Sequence, residues 1–292
     1  MSQTNGGYYL PEPSKWPIIG SIGLFTALFG LATALPGAGG GEMGSLTVTY
    51  IGLAIIAFMM FGWFGQVVGE SQSGAYNAQV DRSFRMGMMW FIFSEVMFFA
   101  AFFGVLFYAR QFSGPWLSGE GNNAMTNELL WKGFEYVWPN NGPANVGGDY
   151  LVMPAWGIPA INTLILLTSG LTVTWAHWGL KKANRKQLII GLFLTVVLGF
   201  LFVALQAYEY MHAYNDLNLK MGTGIYGSTF YMLTGFHGLH VSIGAIMLLV
   251  MLFRSMKGHF TEKNHFAFEA AAWYWHFVDV VWLGLFIFVY WL

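Results

Sequence analysis

Apolar residues run in long, nearly unbroken stretches along this chain, and the polar positions gather between them. Seven stretches reach the roughly 20 apolar residues that a helix needs to cross a bilayer's hydrocarbon core: 17–35, 46–68, 84–109, 156–180, 188–212, 230–254 and 269–291. Lipid offers no partner to a bare amide or carbonyl, and these runs are too long for barrel strands, so each is expected to be an α-helix. The pattern predicts an all-α integral membrane protein, seven transmembrane helices in a single membrane domain over 1–292, with no internal repeat. Residues 110–155 form one long connection whose Gly, Pro and Asn clusters read as an irregular cap. Its tryptophans, Trp116, Trp131 and Trp138, suggest that the cap packs on the membrane interface or on a partner.

Composition agrees: 56% of the 292 residues are hydrophobic and only 9% charged, outside the range of soluble domains. There is no cysteine, so disulfides and thiolate metal sites are excluded. A net charge of -1 gives no footprint for nucleic acid. The first residues lack the basic-then-apolar layout of a cleaved signal peptide, so the first apolar run is expected to stay in the mature protein.

The basic residues orient the chain. With the N-terminus inside, the inner segments hold ten: Lys15, Arg82, Arg85, Lys181, Lys182, Arg185, Lys186, Arg254, Lys257 and Lys263. The outer segments hold three, Arg110, Lys132 and Lys220. The expected topology is therefore N-terminus inside and C-terminus outside.

Ionisable groups within apolar stretches are costly and mark candidate sites. The last stretch carries Glu269, His276 and Asp279; the sixth carries His237 and His240; the others carry Glu95, His177, Glu209 and His212. His237 and His240 are three apart on one helical face, as are His276 and Asp279, a spacing suited to metal ligation. The topology argues against a joint site. It sets the first pair in the outer half and the second in the inner half or near the middle, and Gly235, Gly238 and Gly244 fit close helix packing better than a ligand cage. Glu95 lies near mid-membrane with no basic residue nearby on its own helix, so it reads as a proton-relay group, a lipid-cleft group or a hydrogen-bond donor to a neighbouring helix. Ser94 is expected to bond back to its own backbone. Glu209 and His212 read as an interfacial pair, and Arg85, Arg254 and Lys257 as charges at membrane ends, setting topology or meeting lipid headgroups.

Several stretches together resemble subunit III of the haem-copper cytochrome c oxidases: PSKWP (13–17), FIFSEVMFF (91–99), INTLILLTSGLTVTWAH (161–177), YGSTFYMLTG (226–235), TGFHGLHVSIG (234–244) and HFAFEAAAWYWHFVDVVWL (265–283). The long outer loop looks like the bacterial form, which implies a multi-pass protein of the bacterial cytoplasmic (inner) membrane. The resemblance implies two helix bundles, the first two helices against the last five, around a lipid-filled cleft. It also implies an accessory subunit with no catalytic residue and no metal of its own. Haem a and copper would lie in partner subunits. The direct partner would be catalytic subunit I, with subunit II in the same complex, cytochrome c as electron donor, and phospholipid bound. The implied role is to support proton uptake and to protect against turnover inactivation. Carried over by position, Glu95 is the buried carboxylate of the cleft, and Trp63, Glu70, Arg254 and Lys257 surround bound lipid. His237, His240, Glu269, His276 and Asp279 are then structural polar residues tying helices together.

Departures exist: Tyr8-Tyr9 replaces a tyrosine-histidine pair, and Gly65, Gly69, Ala75 and Tyr76 stand where relatives carry arginines and histidines. The equivalent subunit of a quinol oxidase is the near alternative, disfavoured because those relatives usually lack the first two helices. A histidine-rich di-iron enzyme would need about eight histidines on one side, and there are seven at differing depths. A proton-coupled transporter using Glu95 and Asp279 would show paired broken helices, which the pattern lacks.

Overall fold

A computed structural model describes residues 12–36 and 44–291. Their regular structure is all helical, with no strand among the described residues; Tyr8 and Tyr9 lie outside them. In chain order the helices are α1 (Trp16–Ala34), α2 (Thr47–Gln72), α3 (Ala78–Tyr108), α4 (Gly114–Leu117), α5 (Ala124–Leu130), α6 (Ile158–Lys181), α7 (Arg185–Asn215), α8 (Gly224–Met256) and α9 (Phe266–Leu285). Ala109–Ser113 and Phe286–Trp291 continue α3 and α9 as π-helix. Seven helices are long and apolar enough to span a membrane, as the hydropathy pattern predicts.

Several helices outrun their apolar stretches, because a helix stops at a cap and not where hydrophobicity ends. Asn77 Oδ1 accepts from Gln79 N and Val80 N at 3.0 Å, starting α3 ahead of the apolar run. Asn184 Oδ1 accepts from Gln187 N at 3.2 Å and starts α7 straight after a tight turn from α6.

The chain divides into two compact units, 1–84 and 85–292. In the first, α1 and α2 pair along a seam of small residues. Gly23, Ala27, Gly30 and Ala34 are the buried positions of α1, and Gly52 is the buried position of α2. A Cβ on Gly52 would lie 2.2 Å from the backbone nitrogen of Ala27, and one on Gly30 would lie 2.4 Å from that of Thr49. Between lipid-facing helices, dispersion and not the hydrophobic effect drives association, and small residues let the backbones approach. At one end Trp16 lies across Gly62 and donates its indole N–H to Gln66 Oε1 at 2.9 Å.

In the second unit, α6 and α7 are antiparallel and in register: Thr172 bonds Thr195 at 2.8 Å, and Ala176 fills the space a Cβ on Gly191 would need. Helix α9 sits at the centre, with eleven buried residues. Trp275, fully buried, donates to Ser169 Oγ at 2.9 Å, and its ring occupies the space beside Gly199 of α7 and Gly244 of α8. Trp282 donates to Thr163 Oγ1 at 2.9 Å and meets Phe202 edge-on at 4.7 Å. Each indole supplies apolar bulk and satisfies its single donor, which is how a tryptophan is tolerated in a core.

The 110–155 connection is more regular than its sequence pattern implies, since it holds α4 and α5. Trp138 packs on the fold, edge-on to Tyr226 at 5.8 Å with the Arg110 guanidinium over its ring. Tyr150 stacks on Tyr226 at 5.7 Å, and burial pushes its hydroxyl up to about 12.

Candidate functional site: buried polar clusters among the helices

Because an apolar environment penalises an unpaired polar group, each ionisable residue in the second unit poses a question of partners. Glu95 of α3 finds His240 of α8, whose Nε2 lies 2.7 Å from its Oε2. The other ring nitrogen, Nδ1, lies 2.7 Å from the Phe236 carbonyl; a carbonyl only accepts, so Nδ1 carries a hydrogen. One further hydrogen then sits between His240 Nε2 and Glu95 Oε2, and the pair can hold or pass a single proton. Rings of Phe98, Phe99, Tyr274 and Phe277 surround the imidazole. Glu95 keeps 21% side-chain exposure, so it is half-buried. Ser94 bonds back to the Phe91 carbonyl at 2.6 Å, as expected.

His237 is buried and donates from Nε2 to the Val278 carbonyl at 3.1 Å, which leaves Nδ1 without a partner. This bond corrects the expected depth offset: His237 and His240 lie level with residues 274–278 of α9 and not in a different half of the membrane. Helix α8 begins at Gly224, ahead of its apolar run, which sets its histidines mid-helix. The His237/His240 and His276/Asp279 pairs still do not converge. His276 faces α6, between Thr174 Oγ1 at 3.3 Å and Asp279 Oδ2 at 3.4 Å. Asp279 is buried against Gly170, where a Cβ would fall 2.4 Å from its Oδ2.

Glu269, in the first turn of α9, gathers the densest cluster. Its Oε2 forms an ion pair with Arg85 of α3, while its Oε1 lies 3.5 Å from His177 Nε2 of α6 and 3.3 Å from His265 Nε2. Neither ring nitrogen points along a hydrogen-bond direction to that oxygen. His265 donates from Nδ1 to the Thr261 carbonyl at 2.9 Å. The donor atoms of His177, His265 and Glu269 lie within 4.8 Å of one another, a set of the kind that holds a small divalent cation. The Arg85 guanidinium on the same carboxylate opposes a cation there. This trio is not the one whose spacing suggested a metal. His265 is the residue that sequence reasoning passed over, although its position four before Glu269 puts both on one helical face.

Glu209 and His212 do not form an interfacial pair. Glu209 is fully buried and accepts from Tyr290 O–H at 2.6 Å, whereas His212 pairs with Asp216 at 2.7 Å. The two positions point apart because one helical face of α7 runs through Phe202, Gln206 and Glu209 into the bundle.

The four expected lipid positions fall in separate units. In the first, Glu70 accepts from Gln66 Nε2 at 2.9 Å and from Tyr76 O–H at 2.8 Å, and Trp63, 47% exposed as a residue, stacks on Phe64. In the second, Arg254 is buried, with its guanidinium 4.7 Å over the Phe260 ring and its Nε unpartnered, and exposed Lys257 ends α8.

Comparison with known proteins adds to this geometry. The family described as Cytochrome c oxidase subunit III matches residues 6–118 and 136–292. The chain is 39% identical to "Cytochrome c oxidase subunit 3" of Squalus acanthias over 292 residues, covering 100% of this chain and 99% of that one. It is similarly 39% identical to the protein of that name from Latimeria chalumnae over 292 residues, and 38% identical to that from Bos taurus over 294 residues, each with 100% of this chain and 99% of the relative covered. A chain with seven helices fit to span a membrane, matched by the family over most of its length and aligned end to end with these relatives, belongs to the cytochrome c oxidase subunit III family.

Proposed function

We propose that the chain is the accessory third subunit of a proton-pumping cytochrome c oxidase, packed directly on catalytic subunit I in a complex that also contains subunit II. Haem a and copper reside in those partners, cytochrome c supplies the electrons, and this chain contributes no catalytic residue and no redox metal. The observation that carries the reading is the match to subunit 3 relatives over essentially the whole chain. Its role is to hold phospholipid and structure beside the proton entrance, supporting proton uptake and protecting the complex from turnover inactivation.

The geometry supports a lipid-holding role in two places. Arg254 is a buried guanidinium whose Nε has no acceptor, and a lipid phosphate supplies one together with the neutralising charge. Trp63 offers an exposed side chain on the same face of α2 as Glu70, two turns earlier, and the two oxygens of Glu70 are already taken by Gln66 and Tyr76, so Glu70 shapes that surface more than it ligates. Glu95, with His240, is the polar group of the mid-membrane surface that lipid chains would meet. The N-inside, C-outside orientation follows from the basic residues. The bacterial form, and with it a bacterial cytoplasmic membrane, is favoured by the long loop, of which 119–135 lie outside the family match.

The test is to tag the chain in its native membrane, extract it gently, and record the visible spectrum and co-purifying polypeptides. A haem a spectrum with two larger partner chains, lost when this chain alone is isolated, is the expected result. A redox metal that stays with the isolated chain would overturn the reading, and a complex oxidising quinol but not cytochrome c would move it to the quinol branch.

A further inference from the structure

The Glu209 region presents an unusual set of atoms. Asn162 of α6 is fully buried with both its amide nitrogen and its amide oxygen unpartnered, and Gln206 Oε1 and Glu209 Oε2 of α7 are likewise buried without a partner. The register of α6 against α7, fixed by the Thr172 to Thr195 bond, sets Asn162 ten residues further along and level with 205 and 206. Thr163, beside Asn162, accepts from Trp282, whose ring lies 5.8 Å from that of Tyr290, and Tyr290 O–H donates to Glu209 Oε1. Three elements thus bring four polar side chains to one buried place. The π-helical run Phe286–Trp291 carries Tyr290 there, in keeping with the frequency of such segments at functional sites.

We propose that Asn162, Gln206, Glu209 and Tyr290 form a buried hydrated acid site, in which Glu209 is a carboxylic acid and shares its proton with the two amide oxygens through internal water. The hydrogen-bond inventory carries this. An ionised Glu209 sets a third unfilled acceptor oxygen beside those of Asn162 and Gln206, and among the described residues no lysine or arginine faces it. The titratable groups in electrostatic reach are Tyr210 on its own helix, Tyr226 and Tyr231 of α8, Tyr290 and His212. The first four are neutral phenols, and His212 is engaged by Asp216. A hydrogen on Oε2 removes the charge and supplies one donor. It cannot serve the unpartnered nitrogen of Asn162, which needs an acceptor. A water molecule both donates and accepts, so it closes the network where a bare cation would leave that nitrogen unpaired.

Infrared spectroscopy of the purified oxidase complex containing this chain tests the proposal. The wild type is expected to show a protonated-carboxyl carbonyl band that shifts down in heavy water, is missing in Glu209→Gln and persists in Glu95→Gln. In Tyr290→Phe the band should move up, because the carbonyl oxygen loses its 2.6 Å donor and keeps only the long contact from Gln206 Nε2 at 3.5 Å. An internal-water O–H band that shifts in oxygen-18 water should vanish in Asn162→Leu, with Asn162→Asp, which keeps one oxygen, as the second variant should the leucine fail to fold. A Glu209→Gln spectrum identical to wild type in the carboxyl region overturns the proposal. So does a thermal midpoint that rises with sodium chloride over choline chloride in wild type and not in Glu209→Gln, which would replace the proton by a sodium ion.

Discussion

Substituting Gly170 by alanine asks whether the Asp279 carboxylate fills the space that Gly170 leaves. The new Cβ would stand 2.4 Å from Asp279 Oδ2, 3.5 Å from its Cγ and 3.6 Å from His276 Nδ1. Only the first is impossible; it falls roughly 1 Å short of an ordinary contact. Either the carboxylate swings away from His276 or α6 and α9 move apart. Leaving a buried polar group without its hydrogen bond costs about 1–3 kcal/mol, and overpacking a tight core costs about 1–3 kcal/mol, so the substitution should destabilise by about 1–3 kcal/mol by either route. In an Asp279→Ala background the nearest remaining atom is the imidazole nitrogen at 3.6 Å. There the same change should be neutral, or stabilising by about 0.5–1 kcal/mol, since alanine is the better helix former. The assay is a double-mutant cycle on the purified chain in micelles, with helicity followed against rising mole fraction of a denaturing detergent. The cycle should give a coupling energy above about 1 kcal/mol. Strictly additive costs would refute the argument, because they would mean the clash is with something other than the carboxylate.

Other perturbations separate the remaining clusters. Gly52→Ala places a Cβ against the backbone of Ala27, which cannot swing aside, so α1 and α2 must separate; cysteine pairs introduced across that seam into this cysteine-free chain should cross-link more slowly, and an unchanged rate would count against backbone packing there. Glu269→Gln removes the charge facing Arg85; because the arginine side chain is one-third exposed, we expect about 1 kcal/mol and not the several kcal/mol of a dry ion pair, and a loss above about 3 kcal/mol in the same detergent titration would show that the pair is shielded from solvent. Glu95→Ala should leave haem content and first-turnover activity of the complex intact while changing lipid retention or sustained turnover, and loss of haem would refute this. Arg254→Ala with Lys257→Ala should reduce the phospholipid recovered by mass analysis, and unchanged lipid would remove these residues from any lipid site.

Much of this was legible from the chain because a bilayer imposes a coarse code. Hydrocarbon thickness sets the length of an apolar run, and the lack of backbone partners in lipid forces each run to be a helix, so seven spans follow without tertiary information. The identity of the costly residues was legible for the same reason: Glu95, Glu269 and Asp279 stand out against apolar neighbours. The partners on the same helix were within reach of spacing, His276 three residues before Asp279 and His265 four before Glu269. The others were not, because helical spacing relates residues on one helix only and these lie far along the chain: Glu95 with His240, Glu269 with Arg85 and His177, Glu209 with Tyr290. The errors have the same origin. The depth offset between His237 and His276 came from counting residues from the ends of the apolar runs, whereas α8 starts at its own cap. Glu209 passed for an interfacial residue because its place near a helix end says nothing of which way it faces.

The sequence by itself therefore determined the environment, the number of spans and the family, because these depend on the kind of residue at each position along a line. Tertiary structure alone decided which buried acid meets which base, and why Gly170, Gly199 and Gly244 are glycines: each stands where a side chain from α9 takes the volume a Cβ would need. That choice depends on close packing between helices, a three-dimensional constraint that no periodicity on a single helix encodes.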